Sequence, residues 1–319
     1  MIEVENLSKF YGDYKAVDDL SFVIEDGEIY GFLGPNGAGK STTMNIMTGC
    51  LSMSDGTVRI DGHDIFEEPE EAKKNIGYLP EIPPLYSEST PSEYLQFVAE
   101  AKGIAKENIS NEIGRVIRET QIDDVKDKLI RNLSKGYRQR VGIAQALLGN
   151  PKIIILDEPT VGLDPAQIIE IRDLIKGLGK KHTVILSSHI LSEVQAICKK
   201  ILIISKGKLV AFDTPDNLEK LFIGTCNIEL LVEGKANEVN EIVKVYDGKL
   251  EKDGNKKIKV TITNDTKEAD NLCKELFFAF AEKGLPIIEM KRIKASLEDV
   301  FIELTSSEKE VEDVSGIEA

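Results

Sequence analysis

A glycine-rich segment that ends in Gly-Lys-Ser-Thr constrains this chain more than any other feature of its 319 residues. The segment follows the apolar run Glu28–Leu33 and matches GxxxxGK[ST] with Gly34, Pro35, Asn36, Gly37, Ala38, Gly39, Lys40, Ser41 and Thr42. Glycines let successive backbone N–H groups point inward around a phosphate, and a helix that follows presents its positive N-terminus to the same anion. A glycine-rich turn can match by chance, but a strand before it and a helical pattern after it favour phosphate binding. In that interpretation Lys40 reaches the β- and γ-phosphates and the Ser41 hydroxyl binds Mg²⁺.

A second motif is an apolar run that ends in two carboxylates. Ile153–Leu156 reads as a buried strand, and Asp157 and Glu158 follow it directly. In nucleotide hydrolases an acid at such a strand end anchors Mg²⁺, which suits Asp157, and Glu158 is then placed to take a proton from the attacking water. A solvated strand end is the alternative for this motif alone, and the phosphate loop upstream favours the catalytic interpretation.

The first two thirds of the chain alternate short β-branched runs with helical patterns. The strand candidates are Ile2–Leu7, Glu28–Leu33, Ile153–Leu156, Thr183–Ser187 and Ile201–Ile204. Strand followed by helix, repeated, predicts an α/β domain with a parallel core sheet. Hairpin-like sequence at Gly56–Gly62 adds an antiparallel part, and Pro91–Leu148 predicts a helical insert. This domain is expected to span residues 1–217.

A second unit is predicted over residues 218–305. Its candidate elements are strand Cys226–Val232, helix Ala236–Val245, two strands within Asp247–Asp265 around the turn Asp253-Gly254-Asn255, helix Lys267–Lys283 and strand Ile287–Ile293. The order β-α-β-β-α-β predicts a small α+β domain of the ferredoxin-like type. A last helix is expected at Ser296–Leu304. The tail 306–319 is acidic and is predicted to be disordered.

Several further motifs resemble those of one family, the ABC (ATP-binding cassette) ATPases, and they occur in that family's order. Leu133-Ser134-Lys135-Gly136-Tyr137 resembles the signature LSGGQ. Gly162-Leu163-Asp164-Pro165 is similar to the D-loop, and Ser187-Ser188-His189 to the switch segment with its histidine. Tyr11 stands where the family stacks an aromatic ring on adenine, and Glu81 in GYLPE occupies the Q-loop position.

The resemblance implies roles for these residues. Ser134 and Gly136 would face the γ-phosphate of ATP from a helix N-terminus, with Lys135 beside them, and Asp164 would also contact the nucleotide. His189 would contact the γ-phosphate during catalysis, and Glu81 would contact Mg²⁺. Three positions depart from the family pattern: Lys135 replaces a glycine, Tyr137 a glutamine, and Glu81 the Q-loop glutamine. The phosphate-facing pair is kept, so signature function is expected to be intact.

The resemblance also implies partners. ATP would lie between the phosphate loop of one subunit and the signature of another, so a head-to-tail dimer, expected to be a homodimer, is implied. The C-terminal pattern Ser296–Thr305, the GYLPE segment and SKGYRQRVG are similar to those of ATPases that serve ABC-2-type exporters. The expected function is therefore ATP hydrolysis that powers transport, in the export direction, through a separate integral membrane permease.

Composition narrows the function classes. The net charge of −15 disfavours a general nucleic-acid binder, because binding of duplex phosphates needs a basic face. Cys50, Cys198, Cys226 and Cys273 are widely spaced, which disfavours a zinc site or a disulfide framework. The apolar runs are too short for a membrane span and no signal peptide is evident, so the sequence predicts a cytoplasmic protein attached to the inner membrane face through its permease. The alternative is a non-transport ABC ATPase that acts on ribosomes or DNA.

Overall fold

The computed structural model describes residues 1–221, 225–253, 257–265 and 269–294. The chain divides into two units, the first formed by Met1–Thr214 and the second beginning at Pro215, close to the boundary expected at Asn217. Among the described residues, no helix combines the length and the apolar character needed to cross a bilayer.

The first unit contains ten strands and seven helices. In chain order the strands are β1 (Ile2–Tyr11), β2 (Tyr14–Ile24), β3 (Ile29–Leu33), β4 (Asp55–Ile60), β5 (His63–Asp64), β6 (Ile76–Leu79), β7 (Ile153–Leu156), β8 (Thr183–Ser188), β9 (Lys200–Ser205) and β10 (Lys208–Asp213). The helices are α1 (Lys40–Met47), α2 (Pro69–Lys74), α3 (Pro91–Ala101), α4 (Lys106–Glu119), α5 (Lys135–Leu147), α6 (Pro165–Leu178) and α7 (Leu191–Ile197), with a 3-10 turn at Ile130–Asn132.

A six-stranded sheet in the order β10-β9-β3-β8-β7-β6 forms the centre of this unit. Its pairs from β9 to β6 are all parallel, and only the edge strand β10 is antiparallel. All residues of β7 and β8 are buried, as expected for parallel strands covered on both faces. A second, antiparallel sheet has the order β2-β1-β4-β5. The predicted α/β fold with a parallel core sheet, an antiparallel part and a helical insert is thus confirmed.

The core of the first unit joins both sheets to α1. Ile2 and Val4 of β1, Phe32 of β3, and Met44 and Met47 of α1 belong to one buried cluster. Phe22 of β2 packs edge-on against Phe32, with ring centroids 5.5 Å apart. The helix that follows the phosphate loop is therefore clamped between two sheets, which fixes the direction of its N-terminus.

The second unit has a helix α8 (Pro215–Leu221), which the sequence analysis did not predict, and then the expected β-α-β-β-α-β order. Its elements are β11 (Thr225–Glu233), α9 (Ala236–Val243), β12 (Lys249–Asp253), β13 (Lys257–Asp265), α10 (Ala269–Glu282) and β14 (Ile287–Lys294), with a 3-10 turn at Lys244–Tyr246. The strands form an antiparallel sheet in the order β12-β13-β11-β14.

One face of this sheet packs against both helices. Ile228 and Leu230 of β11, Val239 of α9, and Leu276 and Phe280 of α10 belong to one buried cluster that is separate from the core of the first unit. The fold is that of the predicted ferredoxin-like domain. The predicted turn residues Gly254 and Asn255, the predicted helix Ser296–Leu304 and the acidic tail 306–319 lie outside the described residues.

Candidate active site

The site lies where three neighbouring parallel strands end. β3 pairs with β8 and β8 with β7, so their carboxyl ends share one edge of the central sheet. The glycine-rich loop follows β3, Asp157 and Glu158 follow β7, and His189 follows β8. Ligands of open α/β sheets bind outside these carboxyl ends, and the topology places all three motifs there.

The glycine-rich loop is shaped by close backbone contacts. Gly37 and Gly39 have φ of 81° and 102°, a region that favours glycine. A Cβ on Gly34 would lie 2.3 Å from the Ile204 carbonyl oxygen, and one on Gly39 would lie 2.6 Å from the Ala16 carbonyl oxygen. Any side chain at these two positions would therefore force the loop away from β9 and β2.

The Lys40 side chain is held over this loop by hydrogen bonds to the loop backbone. Its Nζ donates to the carbonyl oxygens of Gly34, at 2.8 Å, and Pro35, at 3.3 Å. The residue is only 6% exposed. The ammonium group thus stands above the N-terminus of α1, where an anionic phosphate would bind.

The Asp157 carboxylate accepts hydrogen bonds from two serine hydroxyl groups. The Oγ of Ser41 donates to its Oδ1 at 3.2 Å, and the Oγ of Ser187 donates to the same atom at 2.6 Å. Ser187 also accepts from the backbone N–H of Glu158 at 2.7 Å. The sequence analysis gave Ser187 no role of its own; its position at the end of the strand before His189 was the available signal.

Glu158 lies between a lysine and a histidine. Its Oε1 is 3.6 Å from Lys40 Nζ, and its Oε2 is 3.0 Å from His189 Nδ1. Its backbone has φ of 48°, a left-handed conformation that is rare for a residue with a side chain and often occurs at functional sites. This carboxylate is 7% exposed and faces the space above the phosphate loop. It is therefore placed to accept a proton from a water molecule there.

Lys40, Ser41, Glu158 and His189 open onto one cavity of about 460 Å³, a size typical of ligand sites. The predicted site residues Gly34, Pro35 and Asp157 are not among the described residues that line it. It is lined by Tyr11, Tyr14, Ala16, Asn36, Gly37, Ala38, Gly39, Lys40, Ser41, Thr42, Glu81, Glu158, Val161 and His189. Tyr14, Ala16 and Val161 were not predicted. Tyr14 pairs with Tyr11 across the hairpin of β1 and β2, and both rings are about half exposed. Their nearness in FYGDYKAV was the signal that could have identified Tyr14.

Ser134, Lys135, Gly136 and Asp164 are absent from the lining that the described residues provide. They lie together elsewhere, at the starts of α5 and α6. Ser134 caps α5 by accepting from Tyr137 N–H at 3.3 Å, and Asp164 caps α6 by accepting from Gln167 N–H at 2.9 Å. A Cβ on Gly162 would lie 2.2 Å from Lys135 Nζ, so the lysine that departs from the family pattern rests on the D-loop glycine.

Comparison with known proteins settles the family. The family model for the ABC transporter matches residues 17–161. An uncharacterised ABC transporter ATP-binding protein of Bacillus subtilis, YhcH, is 40% identical over 97% of this chain and 97% of its own length. The chain belongs to the ATP-binding proteins of ABC transporters. Another relative, the bacitracin transport ATP-binding protein BcrA of Bacillus licheniformis, is 35% identical over 95% of this chain and 97% of its own length.

A solved structure agrees with this assignment. The dimeric ATP-binding cassette MJ0796, in a post-hydrolysis state bound to ADP and Pi, is similar with a TM-score of 0.61 and 25% identity, over 67% of this chain and 98% of that one. As an ABC transporter ATP-binding protein, the chain binds ATP and hydrolyses it to drive transport. The cavity at the phosphate loop is its candidate ATP site.

Two tyrosines near the sequence motifs of this ABC ATPase have a raised pKa. Burial, with the charge of Asp157, raises the pKa of Tyr78 far above its usual range, and the Tyr78 hydroxyl lies 3.0 Å from Asn45 Oδ1 of α1. The hydrogen bond from the Tyr137 hydroxyl to Asp124, at 2.7 Å, raises the pKa of Tyr137. Tyr137 thus has a bonding role that connects α5 to the segment before it.

Proposed function

We propose that this ATPase powers export of a substrate through a separate integral membrane permease, at the inner face of the cell membrane. The observation that carries the proposal is the similarity to the bacitracin transport protein, which extends through the second unit and not only the cassette. Export rather than import rests on the sequence pattern at Ser296–Thr305 and on the GYLPE and SKGYRQRVG segments. The proposal assigns 1–217 to the cassette, 218–305 to an added domain and 306–319 to an acidic tail.

The working form in this proposal is a head-to-tail dimer of two copies of this chain. The signature residues Ser134 and Gly136 do not line the described cavity of their own chain, so a second subunit would have to supply them. Both residues stand at the N-terminus of α5, where a phosphate is favoured. A dimer with each chain contributing half of two sites would complete both.

Within each site the described contacts support one division of roles. Lys40 binds the β- and γ-phosphates, Glu158 accepts the proton of the attacking water, and His189 contacts the γ-phosphate. Ser41 and Asp157 present a hydroxyl and a carboxylate 3.2 Å apart, a pair of hard oxygen ligands that fits Mg²⁺. Glu81 lines the same cavity and would offer a further oxygen. The metal, when bound, would neutralise negative charge on the phosphates.

An exposed apolar patch beside Glu81 supports contact with the permease. Ile82 is 83% exposed, and Tyr86 and Phe97 are each about half exposed with ring centroids 5.3 Å apart. Tyr86 and Phe97 are in contact, and exposed apolar groups that touch one another mark interaction sites, whereas Ile82 is placed beside Glu81 by the chain. We place the permease here, because a partner bound at this patch would contact the loop that carries Glu81, and Glu81 lines the ATP cavity.

Purification of the chain from its native membrane, identification of the permease that accompanies it, and co-expression of the two proteins test the proposal. We expect the two proteins to co-purify from membranes and, in vesicles, to move substrate outward only when ATP is supplied. The comparisons give no support to the alternative of a ribosome- or DNA-directed ATPase. ATPase activity that ribosomes or DNA stimulate, with no effect of the permease, would revive that alternative and contradict the proposal.

Replacement of Tyr11 tests the stacking role. We expect Tyr11→Ala to raise the Kd for ATP about tenfold, because stacking of a base on an aromatic ring contributes about 1–3 kcal/mol. Tyr11→Phe keeps the ring and should leave the Kd nearly unchanged. Isothermal titration of both variants decides the matter, and a phenylalanine variant as weak as the alanine variant would exclude stacking.

Replacement of Glu81 tests the connection between the ATP site and the permease. Glu81→Gln keeps an oxygen at the same reach and should retain most ATPase activity. Glu81→Ala should bind ATP normally and lose most transport, because the loop loses its link between the metal and the membrane partner. ATP hydrolysis and substrate efflux are measured together in vesicles that contain both subunits. Full efflux by the alanine variant would remove Glu81 from the coupling route.

A further inference from the structure

The two segments that carry Glu158 and His189 are tied to one buried carboxylate. Glu193, in the first turn of α7, is 6% exposed. Its Oε2 accepts a hydrogen bond from the Thr160 hydroxyl and another, at 3.2 Å, from the Ser188 hydroxyl. We propose that Glu193 is a positioning residue that sets the separation of Glu158 and His189.

The first hydrogen bond, from Thr160, holds the turn after β7. The chain reverses at Glu158, where Val161 N–H donates to the Glu158 carbonyl oxygen at 3.1 Å. Glu158 has φ of 48° in this turn, a conformation that persists only when its surroundings enforce it. Ser187 holds the start of the turn through Glu158 N–H, and Glu193 holds Thr160 within it. The Glu193 carboxylate therefore anchors the strained turn at Thr160, as Ser187 does at Glu158 N–H.

The second hydrogen bond, from Ser188, holds the backbone on both sides of His189. Ser188 precedes the histidine and donates to Glu193, and its Oγ also accepts from Ile190 N–H at 3.0 Å. The backbone around His189 is thus bracketed by one serine that is itself only 1% exposed. A shift of the Glu193 carboxylate would displace Ser188 and, with it, the backbone on both sides of His189.

Glu193 therefore positions two groups of the site, Glu158 and His189, relative to the same carboxylate. Glu158 Oε2 and His189 Nδ1 are 3.0 Å apart, although β7 and β8 supply them from separate loops. Burial of a carboxylate is costly unless hydrogen bonds satisfy it, so its two hydroxyl partners are strongly held. Glu193 does not belong to the described cavity lining and acts only through Thr160 and Ser188.

Steady-state kinetics and ATP titration of four variants test this inference, which rests on the proposed roles of Glu158 and His189. Glu193→Ala should lower kcat about 10- to 100-fold, because small misplacement of reacting groups has effects of this size. The Kd for ATP should stay within about twofold, since the phosphate loop makes no contact with Glu193 in the described hydrogen bonds. Glu193→Gln keeps an oxygen acceptor for both hydroxyls and should restore kcat to within about threefold of the wild type.

Thr160→Val removes one hydroxyl at constant size and should lower kcat to an intermediate value. The matched control is Thr120→Val, which removes the hydroxyl of another buried threonine, one that donates to the Val116 carbonyl oxygen in the helical insert. A kcat of Thr160→Val equal to that of Thr120→Val would overturn the inference. So would a Glu193→Gln variant as slow as Glu193→Ala, or a parallel loss of ATP affinity and thermal stability in both Glu193 variants.

Glu158→Gln, assayed in parallel, separates this inference from the proposed function. If Glu158→Gln is inactive while Glu193→Ala and Thr160→Val turn over like the wild type, Glu193 has no positioning role and the proposed function stands. If Glu158→Gln is active, the assigned role of Glu158 fails, and the inference fails with it.

Discussion

Glu158→Gln is expected to bind ATP with wild-type affinity and to hydrolyse it about 100-fold more slowly or worse. The amide cannot accept the proton of the attacking water, and general-base groups contribute about 10²- to 10⁴-fold to rates. Asp157 and Ser41 keep their contacts, because Asp157 accepts hydrogen bonds from Ser41 and Ser187 and neither bond involves the Glu158 side chain. Single-turnover hydrolysis and ATP titration measure the two effects separately.

The same variant should accumulate as an ATP-dependent dimer. If ATP binding closes two subunits and hydrolysis opens them, slow hydrolysis leaves the closed form populated. Size-exclusion chromatography with ATP, and with ADP as the control, measures this form. Near wild-type turnover would overturn the role of Glu158, and a monomer in the presence of ATP would contradict the proposed sandwich.

Lys40→Ala is expected to weaken ATP binding by about 100-fold and to abolish measurable hydrolysis. Hydrogen bonds between charged groups are about twice as strong as neutral ones, and this one would act on two phosphates at once. Loss of the ammonium also leaves Glu158 without the cation 3.6 Å from its Oε1, which adds repulsion between Glu158 and the phosphates. Nucleotide titration and steady-state ATPase assays test both effects.

Lys73→Ala provides the matched control for Lys40. Lys73 also donates to a backbone carbonyl, that of Gly49 at 3.1 Å, but it is exposed and does not line the ATP cavity. Its replacement should leave the ATP affinity and the turnover unchanged. Unaltered nucleotide affinity in Lys40→Ala would reject the assignment of the phosphate loop.

Sequence patterns predicted the buried elements better than the edge elements. β7 and β8 were recognised because parallel strands covered on both faces require continuous apolar runs. β2 was missed, since Lys15 and the pair Asp18-Asp19 interrupt its alternation and Asp19 has φ of 55° at an irregular point of the pairing with β1. β10 was missed for a related reason: as the sheet edge it is only partly buried and carries a weak pattern.

The sequence by itself determined the phosphate loop, because phosphate chemistry requires glycines, a lysine and a hydroxyl at fixed spacing. Alternating strand and helix patterns determined the α/β class, and the resemblance of further motifs to those of ABC ATPases indicated the family. Only the tertiary structure decided which of the predicted residues lie together at the ATP cavity. Ser134, Gly136 and Asp164 lie apart from the cavity of their own chain, whereas Val161, to which the sequence motifs gave no role, lines it. Glu193, 35 residues after Glu158 in the chain, joins the segments of Glu158 and His189 because the parallel order of β7 and β8 brings their ends together. A hydrogen bond depends on separation in space, and for residues on different strands the topology of the sheet sets that separation.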